Sequence, residues 1–249
     1  MSDTVLQQRE AGVLTLTLNR PARKNAFNIE QWIALRDALL AAASDNSVHA
    51  VLLTGAGANF SSGVDLNDMA NAGEDHPFDS CAKAVAYFDK PLIGAASGVA
   101  VGGGATLLLH CDVIYVGDSL RMRFPFVNLG LVPEFASSYL LQAIIGARRA
   151  AELMYTAEWI DAARAVETGI ATARFADDVL VERALEKARE IAQWPLNALR
   201  ETKRTLKAHQ REGLQRAFDV ETEGMRRQAG SPENIEAIMA FLEKRAPRW

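Results

Sequence analysis

The sequence predicts an α/β fold: strands and helices joined by crossover connections, followed by a helical C-terminal region. Three observations predict it. Short apolar, strand-like runs alternate with helix-period segments through most of the chain. Glycine clusters interrupt the apolar runs where tight bends are needed. From Arg148 onward the pattern turns helical, which places a soft boundary near Pro195, with residues 1–195 as the α/β core and 196–249 as the helical region.

The elements follow in order. Val13 to Leu18 alternates apolar residues with threonine at period two, as a half-buried strand does. Residues 25–43 read as a helix with Trp32, Leu35 and Leu39 on one stripe. Residues 50–54 form a short apolar strand, and Asp65 caps a short helix over 66–70. A polar loop at 71–77 leads to a helix ending near Phe88, and Lys90-Pro91 launches a strand from Leu92 to Ala96. A helix over 105–110 and a strand over 112–116 come next. Asp161 caps a helix that stops at Gly169, and Ser231-Pro232-Glu233 starts the last one. That helix carries Ile235, Ile238, Met239 and Leu242 on an apolar stripe.

Bulk properties narrow the function. The chain has 249 residues and a net charge of −4, which provides no global attraction for nucleic acid or an anionic membrane. Cys81 and Cys111 read as reduced, buried thiols, and the polar first residues lack a secretory core, so a cytoplasmic location is expected. The ending Pro247-Arg248-Trp249 is not a peroxisomal signal. Residues 92–109 carry no charge and reach the length of a membrane span, but five glycines argue for a buried strand, a bend and a buried helix.

The chemistry is concentrated in two glycine-centred segments about forty residues apart, Phe60-Ser61-Ser62-Gly63-Val64-Asp65-Leu66 and Gly98-Val99-Ala100-Val101-Gly102-Gly103-Gly104. Glycine lets a backbone bend sharply and approach a ligand without a β-carbon in the way. One N–H from each segment, converging on a carbonyl oxygen, makes an oxyanion hole, worth roughly 2.7–4 kcal/mol per donor.

These segments resemble the crotonase (enoyl-CoA hydratase/isomerase) superfamily over nearly the whole chain. Asn19-Arg20-Pro21, Asn25-Ala26, Lys90-Pro91, Cys111-Asp112, the Gly130 region and Ala240-Phe241-Leu242-Glu243-Lys244-Arg245 carry the resemblance further. It implies a spiral of repeated ββα units and C-terminal helices that assemble a homo-trimer or a dimer of trimers. The substrate it implies is an acyl-CoA thioester, with coenzyme A as part of the substrate and neither a metal nor another cofactor. By the same resemblance the oxyanion donors are the N–H groups of Ser62 and Gly103. Arg23, Lys24 and Ala26 then flank the CoA, and Ser61, Ser62, Gly63, Val64, Asp65 and Leu66 line the adenine and pantetheine path. Lys244 reaches the CoA 3′-phosphate of a neighbouring subunit.

Hydratases of this superfamily carry two glutamates where this chain has Thr106 and Phe126, so the usual hydration route lacks both carboxylates. The stretch Phe124-Pro125-Phe126-Val127-Asn128-Leu129-Gly130-Leu131-Val132-Pro133-Glu134-Phe135-Ala136-Ser137-Ser138 is similar instead to Δ3,Δ2-enoyl-CoA isomerases of the peroxisomal type. There the glutamate matching Glu134 is the sole acid/base. Apolar neighbours should raise the pKa of Glu134, whereas a helix first turn at Pro133-Glu134 would favour its ionised form. Asp65, Asp68 and the run His110-Cys111-Asp112 are lesser candidates: a cap, a solvated carboxylate and a contiguous cluster unable to form a triad on one face. Another crotonase activity, including hydration, and a catalytically silent acyl-CoA-binding or scaffold protein are the alternative readings.

Overall fold

The computed structural model describes residues 3–65 and 76–249. Its main sheet has six strands. A hairpin of β1 (Val5–Glu10) and β2 (Val13–Leu18) opens the chain and is antiparallel. Then β3 (Ala50–Gly55), β4 (Leu92–Ala96), β6 (Val113–Gly117) and β9 (Ala173–Phe175) extend from β2 in parallel. Parallel neighbours require crossovers, and the helices that supply them pack on one face of the sheet.

Strand alternation splits the apolar residues between two cores. Leu14, Leu16, Leu18, Val51 and Leu53 face the larger core, built on helices α1 (Ile29–Ser44), α2 (Phe78–Ala86) and α3 (Gly103–Leu108). Val13, Ala50, Leu52, Ile93 and Ala95 face the other side, where α7 (Asp177–Ala192) covers them with Leu180, Ala184 and Ala188. The uncharged stretch 92–109 is β4, a bend and α3, buried along most of its length.

A second sheet joins β5 (Val99–Val101), β7 (Arg121–Arg123) and β8 (Ile160–Asp161). A single bridge from Ser61 to Ala100 attaches the first glycine segment to it, and another joins Val64 to Phe27. The segment read as a bare glycine bend therefore contains a strand. β5 was hidden because Val99-Ala100-Val101 is too short for a period to show.

Several expectations need correction. The first helix starts at Ile29, not residue 25, because the Asn28 side chain accepts from Gln31 N–H and caps it there. Asn25 lies upstream in a turn with φ 54°, its side chain tied to Arg20, Ala56 and Asn59. Helix α3 starts two residues early, at Gly103, and ends before His110. Asp65 forms an ion pair with Arg20, Nη2 to Oδ2 at 3.1 Å, and the cap expected of it falls on a helix outside the described residues. The helix expected over 66–70, with Leu66 and Asp68, lies outside the described residues.

Two corrections matter most. Pro133-Glu134 is not a helix first turn: α4 (Ser137–Ile145) begins three residues after Glu134, and Phe135 and Ala136 take left-handed φ of 63° and 54°. Past α4 come α5 (Ala147–Thr156), α6 (Ala162–Thr168), α8 (Leu196–Lys207), α9 (Arg211–Gln228) and α10 (Pro232–Leu242). The caps of α6 and α10 are as expected, Asp161 accepting from Arg164 N–H and Ser231 from Asn234 N–H. On α10, however, Asn234, Ala237 and Ala240 face the chain's own core. Ile235, Met239, Phe241 and Leu242 of the expected stripe and its flank stand exposed. Among the described residues no helix is long and apolar enough to cross a membrane.

Candidate active site

The two glycine segments lie side by side through Ser61. Its N–H donates to Val99 O at 2.9 Å and its carbonyl accepts from Val101 N–H at 3.0 Å. Its hydroxyl donates to Asn25 O at 2.8 Å and accepts from Gly63 N–H at 3.1 Å. The chain then turns at Gly63, whose φ is +89°, and a β-carbon there would lie 2.6 Å from Val101 O and 3.5 Å from Gly103 N. Only glycine fits so close an approach.

This pairing decides which N–H groups are available. Ser62 N–H donates to Lys24 O at 2.9 Å, so the structure removes it as an oxyanion donor. Asp65 N–H donates to Phe27 O at 2.8 Å and Gly63 N–H is held by Ser61. Val64 N–H, pointing away from the Phe27 bridge, has no acceptor among the described residues. Gly103 N–H, first in α3, has none either. The N–H groups left free for a ligand among the described residues of these two segments therefore include those of Val64 and Gly103, while that of the expected Ser62 is taken. The missed signal is the alternation of a bridged strand: when residues 63 and 65 take part in the bridge, the N–H of 64 faces the other way.

Glu134 meets Gly103. A β-carbon on Gly103 would lie 3.2 Å from Glu134 Oε1 and 3.6 Å from the Trp32 ring. The carboxyl is half-buried, and its pKa is raised from 4.5 to about 8, first by loss of hydration and then by the charges of Glu221 and Asp79. Trp32, fully buried, stacks on Phe27 at 3.9 Å and meets Phe78 edge-on at 5.2 Å, and Phe78 meets Phe135 at 5.5 Å. An apolar aromatic wall thus stands beside the carboxyl, and the Trp32 indole N–H has no acceptor among the described residues. Thr106 is buried with its hydroxyl on Gly103 O at 3.3 Å, and Phe126 is buried too, so neither hydratase glutamate position carries an acid.

A family model described as enoyl-CoA hydratase/isomerase matches residues 8–249. The chain belongs to that family. The 2,3-dehydroadipyl-CoA hydratase of Escherichia coli is 34% identical over 99% of this chain and 98% of its own. Enoyl-CoA delta isomerase 2 of Rattus norvegicus is 30% identical over 98% of this chain and 64% of its own. A crystal structure of an enoyl-CoA hydratase/isomerase from Pseudoalteromonas atlantica superposes with TM-score 0.96, at 38% identity, over 99% of both chains. The family's α/β fold with its helical C-terminal region is the one seen here.

Within this family member the remaining expected residues divide. Arg23 and Lys24 are exposed on the turn beside Ser62, whose hydroxyl bonds Arg23 O at 3.4 Å. Ala26 is buried with both backbone groups used, its N–H by Arg23 O and its carbonyl by the Arg20 guanidinium. Arg20, which also pairs with Asp65, was missed as an organiser of this strand; its charge gave no sign of the partner 45 positions away. Lys244 is exposed just past α10 and makes no ion pair among the described residues.

The run His110-Cys111-Asp112 is no triad. His110 Nε2 bonds Phe135 O at 2.8 Å, while Asp112 accepts from Leu92 N–H at 2.9 Å and pairs with Lys203 at 2.6 Å. Cys81 and Cys111 are free, buried thiols whose pKa values burial pushes up.

Proposed function

We propose that this protein is a Δ3,Δ2-enoyl-CoA isomerase that shifts a double bond from C3 to C2 of a fatty acyl-CoA. The observation that carries the reading is the carboxyl beside Gly103: Glu134 Oε1 sits against that residue, and the two hydratase positions hold Thr106 and Phe126.

In this reading ionised Glu134 takes a proton from C2 of a 3-enoyl-CoA. The electrons move to the thioester oxygen, where the N–H groups of Val64 and Gly103 receive the developing charge. Gly103 heads α3, so the helix dipole adds to that field. The electrons then return, the double bond forms between C2 and C3, and Glu134 delivers its proton to C4. One acid/base group closes the cycle without water. The aromatic wall of Trp32, Phe78 and Phe135 keeps the carboxyl poorly hydrated, which makes it a stronger base once ionised.

Arg23 and Lys24 are assigned to the CoA phosphates, where exposed cations suit a flexible polyanion, and Ser61 to Asp65 to the pantetheine path. Assembly as a trimer, or a dimer of trimers, is proposed for the exposed face of α10, where Ile235, Met239, Phe241 and Leu242 form an apolar surface. Sedimentation equilibrium checks it: a trimer or hexamer mass supports the assignment and a monomer mass ends it. Lys244 would then lie near a neighbouring subunit.

The test of function is spectroscopic. A 3-enoyl-CoA incubated with the protein gains conjugated-thioester absorbance if it is isomerised, and a 2-enoyl-CoA loses it if it is hydrated. A hydratase is the second reading, favoured by the full-length similarity to a hydratase. Loss of the 2-enoyl-CoA signal without gain from any 3-enoyl-CoA would establish it. No reaction with either, alongside tight acyl-CoA binding, would favour a scaffold.

A further inference from the structure

We infer that Glu221 and His110 clamp the turn that carries Glu134, making both positioning residues for the base; the inference rests on the reading of Glu134 as that base. The turn needs holding. Phe135 and Ala136 are consecutive non-glycine residues with φ of 63° and 54°, a region where a β-carbon crowds the backbone. Two buried side chains from distant parts of the sequence supply the restraint. Glu221, in the middle of α9, accepts from Ala136 N–H at 2.6 Å and from Ser138 N–H at 2.8 Å, one bond to each carboxylate oxygen. His110 donates from Nε2 to Phe135 O at 2.8 Å. Within the turn, Ser137 N–H donates to Glu134 O at 3.1 Å.

The clamp links the two halves of the site. His110 lies two residues beyond α3, whose first residue is the donor Gly103, so one rigid helix separates the donor from the anchor of the base. Glu221 is 6% exposed and His110 5% exposed, so neither competes with water for its bond.

The two anchors differ in charge. Two backbone N–H donors on two oxygens suit an ionised Glu221, although burial pushes its pKa up. Burial lowers His110 to about 4, so it holds Phe135 as a neutral donor. The charged groups bearing on Glu134 are Glu221 from α9 and Asp79 from α2. Glu221 therefore both shapes the turn and opposes ionisation of the base, while His110 only shapes it.

That difference supplies the test, run on the full-length protein. Glu221→Gln keeps the shape but removes the charge and sets an amide N–H₂ against one backbone N–H. His110→Asn shortens the other anchor without changing charge. Both are expected to lower kcat on a 3-enoyl-CoA roughly tenfold to a hundredfold with KM within about twofold. Only Glu221→Gln should move the midpoint of the kcat/KM pH profile, toward lower pH. The same shift should appear without substrate in the ¹³C titration of the Glu134 carboxyl, assigned by its loss in Glu134→Gln. Unchanged kcat in both variants, or a Glu134 carboxyl titrating identically in wild type and Glu221→Gln, overturns the clamp. If Glu221→Gln fails to fold, His110→Asn decides: kcat lost at constant KM supports the clamp and wild-type kcat overturns it. Should Glu134→Gln keep full turnover, the base reading falls, while the carboxyl titration still judges the clamp by itself.

Discussion

The two halves of the proposed site, its amide donors and its base, are made in different ways. The donor half is backbone: Val64 and Gly103 N–H groups, set by pairing of Ser61 with residues 99–101 and of Val64 with Phe27, and by glycines that admit the close approach. The base half is one side chain, Glu134, on an irregular turn whose neighbours sit in left-handed backbone. The donor half is held by main-chain bonds that most side-chain changes leave intact. The base half depends on particular side chains from helices far along the sequence, and its proton affinity is set by what those side chains are. One fold can therefore keep its oxyanion hole while exchanging the acid/base group beside it, as Thr106 and Phe126 in place of glutamates show.

The largest effect should come from the base half. Glu134→Gln, nearly the same shape, is expected to lower kcat for isomerisation by about 10²–10⁴-fold with acyl-CoA affinity retained. Single-turnover absorbance and calorimetric titration check the two parts, and a variant with wild-type kcat would remove Glu134 from the mechanism. Next comes the donor half, reachable only through backbone geometry. Gly63→Ala puts a β-carbon 2.6 Å from Val101 O at a φ of +89°. The expected cost is about 2–3 kcal/mol of stability and about a hundredfold in kcat, read by thermal melting and kinetics. A neutral result would mean that the close approach of the segments is unnecessary.

A change of pH sharpens the contrast without altering a residue. With the Glu134 pKa near 8, kcat/KM should rise about tenfold per pH unit below that value and level off above it, whereas a site limited by its amides alone would be flat. The same group bears on stability. Because the folded state binds the proton more tightly than the unfolded chain, stability is lost as pH rises from about 4.5 to about 8. By linkage the full shift corresponds to a loss of about 5 kcal/mol, absent from Glu134→Gln. Denaturant melts of both proteins at pH 5 and pH 9 give the difference directly, and equal slopes would contradict the raised pKa.

The site was legible in sequence where chemistry and backbone coincide. Gly63, Gly103 and Glu134 stand out because few side chains, or none, could replace them there, and the three do come together. What escaped the sequence was orientation. The register by which Phe27 pairs with Val64 turns Ser62 N–H inward and Val64 N–H outward, and a one-residue shift reverses such a choice. Glu221 looked like one acid among many on an amphipathic helix, and His110 like part of a cluster with its neighbours. Their partners, 83 and 25 positions away, are set by packing. The apolar stripe of α10 was legible as a pattern, but its facing was not: Ala237 and Ala240 are small enough to pack on the chain's own core, leaving the larger side chains outside.

Local sequence by itself determined four of the sheet strands (β2, β3, β4 and β6) and the helices between them in outline, the helix caps at Asp161 and Ser231, the glycine bends, and the presence of one carboxyl among apolar residues where hydratases carry two. These depend on period, on β-carbon sterics and on side-chain identity, all of which act within a few residues. Only the tertiary structure decided which amides are free to donate and which carboxylate lies against Gly103. It also decided how strongly that carboxylate holds its proton, because hydrogen-bond competition and loss of water depend on atoms brought together from opposite ends of the chain.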